Sequence, residues 1–332
     1  MSFNSNIFQD RVVTLALTIV VLIVVSSIIW PQQFFSLENL SLVLLNLSID
    51  AIVAVGMMIL LISGAFDLSV GSVVAFAGGF AGYLMYYWGV YVPVAILAAL
   101  AVSVVIGFVN GWLVAKVGIN PLIQTLAMMG IVRGLALMVS GSGIQNLPDS
   151  FNRLGQAQFL GFQLPVWYMI AIVIIFSFLV ARTIFFRRYY YIGGNEKAAL
   201  LSGIQVGKMK IYSFILMSFL AGLAGIILAS RLGAAMPTTG QGLELKVITA
   251  VILGGASLLG GQGKIVGALL GTLFMGIIAN IMILARVSGY WQQIIFGIIL
   301  IAAVAIDLLL QKRADRMATA LVKMKQFEKF DT

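Results

Sequence analysis

Residues 66–79, FDLSVGSVVAFAGG, and residues 243–255, LELKVITAVILGG, carry one pattern twice: an acidic residue, Leu, a polar residue and Val, then an apolar run ending in paired glycines. A second match follows each copy. Asn110 and Lys116 in NGWLVAKVG have the spacing of Asn280 and Arg286 in NIMILARVS. The two matches lie 177 and 170 residues apart and in the same order, as an internal duplication with a small indel would leave them. Asp67 and Glu244 each open an apolar stretch after a glycine-containing break, SGAFDLSVGS in the first copy and PTTGQG before the second.

The surroundings of these copies are apolar throughout. Of 332 residues, 61% are hydrophobic and 9% charged, against about a quarter charged in an average soluble domain. No soluble fold of this size could cover such a surface, so the chain reads as a membrane protein. The net charge of +9 therefore does not point to nucleic acid; in a membrane protein basic residues mark cytoplasmic loops. The chain has no Cys and no His, which removes thiolate nucleophiles, imidazole metal sites and His-dependent triads.

Ten stretches approach the ~20 residues that cross a bilayer: 12–30, 41–64, 69–88, 91–115, 121–140, 165–186, 211–230, 245–260, 265–285 and 291–311. The expected fold is all-α and polytopic, a single transmembrane domain with about ten transmembrane helices. It divides into a first half at 12–186, a cytoplasmic loop at 187–210, a second half at 211–311 and a basic tail at 312–332. Two of the ten could be re-entrant. With both termini in the cytoplasm, 15 of the 20 Lys and Arg residues fall inside. Arg153, Arg231, Arg286 and Lys246 remain outside and Arg133 within the membrane, an asymmetry that supports this orientation. If each copy of the repeat holds five crossings, the odd number inverts the second. Two inverted five-helix halves with broken helices near the midplane are a transporter architecture. In the tail, Met317, Leu321 and Met324 alternate with basic residues, which fits either a helix on the anionic leaflet or a plain basic terminus.

Asp50, Asp67 and Arg133 are the ionisable groups best placed at membrane depth, where each needs a partner or water. Counted from Glu38 and Pro121, Asp50 and Arg133 each lie about 18 Å along their helices, entering from opposite sides. An Asp50–Arg133 pair is one reading; independent snorkelling or a wet cavity is the other. Asp67 can cap a helix beginning at Leu68, with Ser69 and Gly71 beside it. A broken helix in lipid survives only against protein or water, so Asp67, Ser69, Gly71, Asn110 and Glu244 are candidates for a translocation path. A capped turn that merely reverses the chain is the alternative. GGQGKI is not a nucleotide loop, because Leu258 and Ile265 occupy the places of the first Gly and the Ser/Thr.

The inner loop IGGNEKAALLSGIQVGKMKIY predicts a short exposed helix, with Asn195 as cap, Glu196 in the first turn and Gly203 as terminator. Ala198 and Ala199 suit close docking into another protein, though a plain connecting helix would look similar.

With these segments in view, the chain resembles a known family, the permease subunits of bacterial ABC importers for ribose and related monosaccharides. The resemblance rests on DLSVGS at 67–72, FVNGWLVAKVGINPLIQTLAMMGIVRGLA at 108–136, IGGNEKAALLSGI at 192–204 and GLELKVITAVILGGASLLGGQGKIVGALLG at 242–271. It implies a multi-pass protein of the bacterial inner membrane that has no cofactor and no ATPase site of its own. ATP and Mg2+ would be bound by a tandem ATP-binding subunit on the cytoplasmic side. A periplasmic sugar-binding protein would deliver the solute, and a second permease copy or a homologous permease would complete the pore. Gly193, Gly194, Asn195, Glu196, Ala198, Ala199, Gly203 and Ile204 would form the ATPase-coupling loop. Lys246 departs from the family's usual Asp, and Ala65–Phe66 from its usual glycine and aliphatic residue, which leaves pentoses, hexoses and autoinducer-2 all open as substrates. The rival reading is an autonomous secondary transporter coupled to ions through Asp50, Asp67 or Glu244, which would need no docking helix.

Overall fold

The computed structural model describes residues 11–328, with side chains for residues 12–309. Its long helices are α1 (Arg11–Ile29), α2 (Leu37–Ile62), α3 (Val70–Trp88), α4 (Val92–Trp112), α5 (Pro121–Ser140), α7 (Leu164–Arg182), α10 (Val206–Leu232), α12 (Ile265–Leu284) and α13 (Gly289–Glu328). Shorter helices are α6 (Asp149–Gln156), α8 (Ile184–Gly194), α9 (Glu196–Leu201) and α11 (Leu243–Leu253). A π-helical turn, Leu113–Val117, extends α4, and a two-residue strand pair joins α6 to α7. The side chains of the 312–332 tail, Met317, Leu321 and Met324 among them, lie outside the described residues.

Among the described residues, nine helices are long and apolar enough to cross a membrane. The tenth expected span, 245–260, is not one. Its helix, α11, has 11 residues and a length of about 16 Å, half a bilayer core. Gly240 and Gly242 hold left-handed conformations before it, and Gly255, Gly260, Gly261 and Gly263 follow with positive φ, so helix cannot extend either way. The segment between α10 and α12 thus consists of an unwound approach at 233–242, a half-helix and a glycine-rich turn at 254–264.

α2 is the central element. Every residue from Leu47 to Ile62 is buried, as a helix apolar on all faces must be. α7, α10, α11 and α12 pack around it. α1 rests on α12 through Leu15, Ile19 and Ile277; α1 and α13 are the most exposed spans.

The packing repeats the pattern seen in sequence. α2 lies on α12 as α10 lies on α4; α3 lies on α4 as α11 lies on α12; and α3 lies on α5 as α11 lies on α13. α1 and α7 stand outside this correspondence, since α1 packs on α12 whereas α7 packs on α2. The repeat is inverted. α2 and α10 run antiparallel, with Gly56 against Met217 and Arg231 against Asn46. α3 and α11 start from a shared point, where a Cβ on Gly71 would collide with the Gly240 carbonyl oxygen, and leave in opposite directions. α3 passes Gly225 and reaches Ala235, while the turn after α11 bonds the end of α2 through Gly261 N–H to the Ile62 carbonyl, 2.9 Å.

Candidate functional site

The break before α3 is closed by a buried polar network. The Asp67 carboxylate accepts from the Ser69 backbone N–H (2.7 Å), the Ser69 hydroxyl (2.6 Å) and Asn110 Nδ2 (3.4 Å). Asn110 Nδ2 also donates to Ser69 Oγ, and Gln124 Nε2 donates to Asn110 Oδ1, both at 3.2 Å. This chain of bonds ties the α2–α3 break to α4 and α5. Asp67 therefore does not cap a helix starting at Leu68: α3 begins at Val70, and the carboxylate holds the turn ahead of it. Asp67, Ser69 and Asn110 are fully buried, so among the path candidates they are enclosed by the chain itself. Gln124, at the far end of the network, was not singled out in the sequence because a lone Gln near a helix start signals nothing by itself.

Gly71 and Glu244 lie where the two broken helices meet. Glu244 Oε1 accepts from the Gly242 N–H at 3.2 Å, while its Oε2, which borders Gly71, is buried without a hydrogen-bond partner. Arg133 lies near enough to attract this carboxylate. Its Nη1 donates to the Pro237 carbonyl and, at 2.9 Å, to the Thr239 carbonyl. One guanidinium on α5 thereby satisfies two carbonyls of the unwound approach to α11, which has no helical partners for them.

Arg133 and Asp50 are not brought together. Asp50 pairs with Lys246 at 2.6 Å, linking the middle of α2 to the first turn of α11. The Lys246 ammonium also lies 5.8 Å from the Phe296 ring centroid on α13. Arg231 bonds Asn46 Oδ1 on the next turn of α2 at 3.0 Å. Lys246 thus belongs inside the bundle and not in an outer loop; the sequence expectation erred because it treated 245–260 as a new span starting at the surface. Asp307, near the end of the apolar part of α13, is a further buried acid that the sequence reading passed over.

At the end of the bundle where α2 finishes, α8 and α9 form a shelf. Thr183 Oγ1 caps α8 at the Phe186 N–H (3.4 Å), and Asn195 Oδ1 caps α9 at the Ala198 N–H (3.0 Å). α9 ends in a Schellman motif: Gly203, at φ +82°, bonds the Leu200 carbonyl and Ile204 bonds the Ala199 carbonyl. Glu196 pairs with Lys210 at 2.7 Å. Ala199 is buried within its own chain, whereas Ala198 is exposed and Leu200 and Leu201 are 63% and 89% exposed. The outward surface is thus made of the leucines and not of both alanines. Gly194 leaves open space beside it, but a Cβ on Gly193 would collide with the Ile62 carbonyl oxygen and the Gly261 nitrogen. Tyr190 Oη donates to the Gly263 carbonyl at 2.7 Å. Its neighbour Tyr189 is buried, and burial pushes that phenol far above its ordinary range, so it stays neutral. α8 therefore touches both the end of α2 and the turn that follows α11.

Residues 39–304 match the family described as the branched-chain amino acid transport system / permease component. The chain is similar to the ribose import permease protein RbsC of Escherichia coli K12, 40% identical over 298 residues that cover 88% of this chain and 92% of that protein. It is similar to the L-arabinose transport system permease protein AraH of the same strain, 41% identical over 309 residues (89% and 90%). It is also similar to RbsC of Bacillus subtilis 168, 39% identical over 290 residues (86% and 89%). No solved structure matches the chain. With inverted broken helices, a polar-sealed junction and a match that runs from the start of α2 into α13, the chain belongs to this family of transport-system permease components.

Proposed function

We propose that this chain forms the membrane path of an ABC importer for a monosaccharide or similar small polar solute, without an ATPase site of its own. A tandem ATP-binding subunit, holding ATP and Mg2+, docks on α9 from the cytoplasm. A periplasmic sugar-binding protein delivers the solute at the opposite end, and a second copy or a homologous permease completes the pore. Both termini are then cytoplasmic, and the 187–210 coupling segment lies between α7 and α10.

The observation that carries this reading is the junction at Gly193. α9 presents Leu200 and Leu201 outward, α8 stands behind it, and the Gly193 backbone packs directly on α2 and on the turn leaving α11. A push on α9 reaches both broken helices through backbone contact, with no flexible side chain between. The solute path runs past Glu244, the path candidate that keeps an unpartnered polar atom, and along α5, where Gly130 and Gly134 face open space. Ion coupling has an obstacle at each of its three acids: Asp50 is neutralised by Lys246, Asp67 is enclosed by Ser69 and Asn110, and Glu244 is held in the field of Arg133.

The test is reconstitution into liposomes with and without the ATP-binding subunit and the binding protein. Uptake that requires both and ATP supports the proposal. Uptake by this chain alone, driven by an ion gradient, overturns it in favour of a secondary transporter.

A further inference from the structure

A cleft of about 910 Å3 opens between α8, α9 and the first turns of α10. Its position is set by two spans: α7 ends at Arg182, immediately before the cleft, and α10 begins at Val206 within it. Its lining is amphipathic. Arg188 and Lys208 supply two cations, and no Asp or Glu lines the cleft. Among the described residues neither cation has an ion pair or a hydrogen bond, whereas the neighbouring Lys210 is held by Glu196. Phe185, Tyr191 and Tyr212 are 41%, 61% and 48% exposed on the same walls. Exposed aromatics beside the end of a span are a membrane-interface arrangement, and basic clefts between such ends bind anionic lipid headgroups.

We propose that this cleft seats the phosphate of an anionic glycerophospholipid, with Arg188 and Lys208 as its counter-charges and Phe185 and Tyr212 flanking the acyl chains. The occupant follows from charge and place: two exposed cations on a cleft whose walls carry no acid give it a positive potential that attracts an anion, and the aromatic flank at the end of two spans suits hydrocarbon. A lipid here would wedge α8 against α10, directly behind the α9 shelf.

The test uses the full-length protein in detergent micelles, titrated with phosphatidylglycerol or phosphatidylcholine and examined by native mass spectrometry. The protein should retain phosphatidylglycerol in preference to phosphatidylcholine. Arg188→Gln with Lys208→Gln should weaken that retention roughly 30-fold, about fivefold per cation. Arg153→Gln with Arg286→Gln, which removes equal charge elsewhere, should leave it unchanged. Equal retention of the two lipids, or undiminished retention in the Arg188/Lys208 variant, overturns the proposal. Displacement of the lipid by millimolar inorganic phosphate would also overturn it, by showing a free-anion site. Should the double variant fail to fold, the unmodified protein still decides: a photoreactive acyl-chain phosphatidylglycerol should label the 184–212 segment, and labelling confined to α1 or α13 overturns the proposal.

Discussion

Replacing Lys246 or Asp50 alone should harm the fold far more, per charge removed, than replacing both. The charges lie 2.6 Å apart on side chains only 22% and 11% exposed. At an effective dielectric constant near 20 they attract by about 6 kcal/mol. Desolvating the two ions offsets much of this, so the pair contributes little net stability, and the large cost comes from stranding one member. For a charge at membrane depth that cost is about 2–4 kcal/mol. Lys246→Met belongs at the lower end, because Arg231 also attracts Asp50 and takes up part of the lost interaction. Asp50→Asn belongs at the upper end, because both cations then lose their counter-charge. Reversible unfolding in mixed micelles, followed by circular dichroism, closes a double-mutant cycle with Asp50→Asn/Lys246→Met. With singles of about 2 and 4 kcal/mol and a double that costs at most about 2, the coupling should be about 4–6 kcal/mol, and the exchange Asp50→Lys/Lys246→Asp should recover most of the loss. A coupling below about 0.5 kcal/mol would refute the argument. So would recovery by the exchange of Asp50 with Arg133, two residues that the structure keeps apart.

Gly193→Ala should lower ATP-driven transport at least several-fold with little loss of ATPase-subunit binding, because the added methyl separates α8 from backbone that cannot move aside; uptake in proteoliposomes alongside pull-down checks this. Leu200→Asp/Leu201→Asp should weaken docking of the ATP-binding subunit by about 100-fold, since burying two leucines so exposed contributes about 3 kcal/mol; titration calorimetry measures it. Asp67→Leu should destabilise by about 2–4 kcal/mol, leaving the Ser69 and Asn110 donors unmet, while Asp67→Asn should cost less by keeping an acceptor; the same micelle unfolding assay distinguishes them.

The spans, the duplication and the α9 helix were readable because their causes are local. An apolar run of bilayer length, an Asn–Glu start and a Gly203 stop each act within a turn or two of chain. What the sequence concealed depends on partners far along it. The 245–260 stretch is apolar enough to span, and its half-helix follows from positive-φ glycines on both sides, of which Gly240, Gly260 and Gly263 pack on Gly71, Gly193 and Ile62. The partner of Asp50 could not be chosen from depth alone: Arg133 sits at the expected depth but spends its donors on the Pro237 and Thr239 carbonyls, groups left bare by an unwinding that the span count did not include. Ala199 and Leu201 stand two residues apart on a helix of six, and which of them faces outward is decided by packing on α8 and α10 and not by composition.

The central claim is that movement of α9 reaches the broken helices through the Gly193 junction. Spin labels introduced on α9 at Lys197 and on α11 at Leu245, in the assembled transporter reconstituted in nanodiscs, measure that link directly by pulsed electron resonance. The account predicts that ATP binding shifts the α9 and α11 distances to a common reference on α5 together, and that Gly193→Ala abolishes the α11 shift while the α9 shift persists. An α11 shift of full size in the Gly193→Ala protein, with α9 docked, would contradict it.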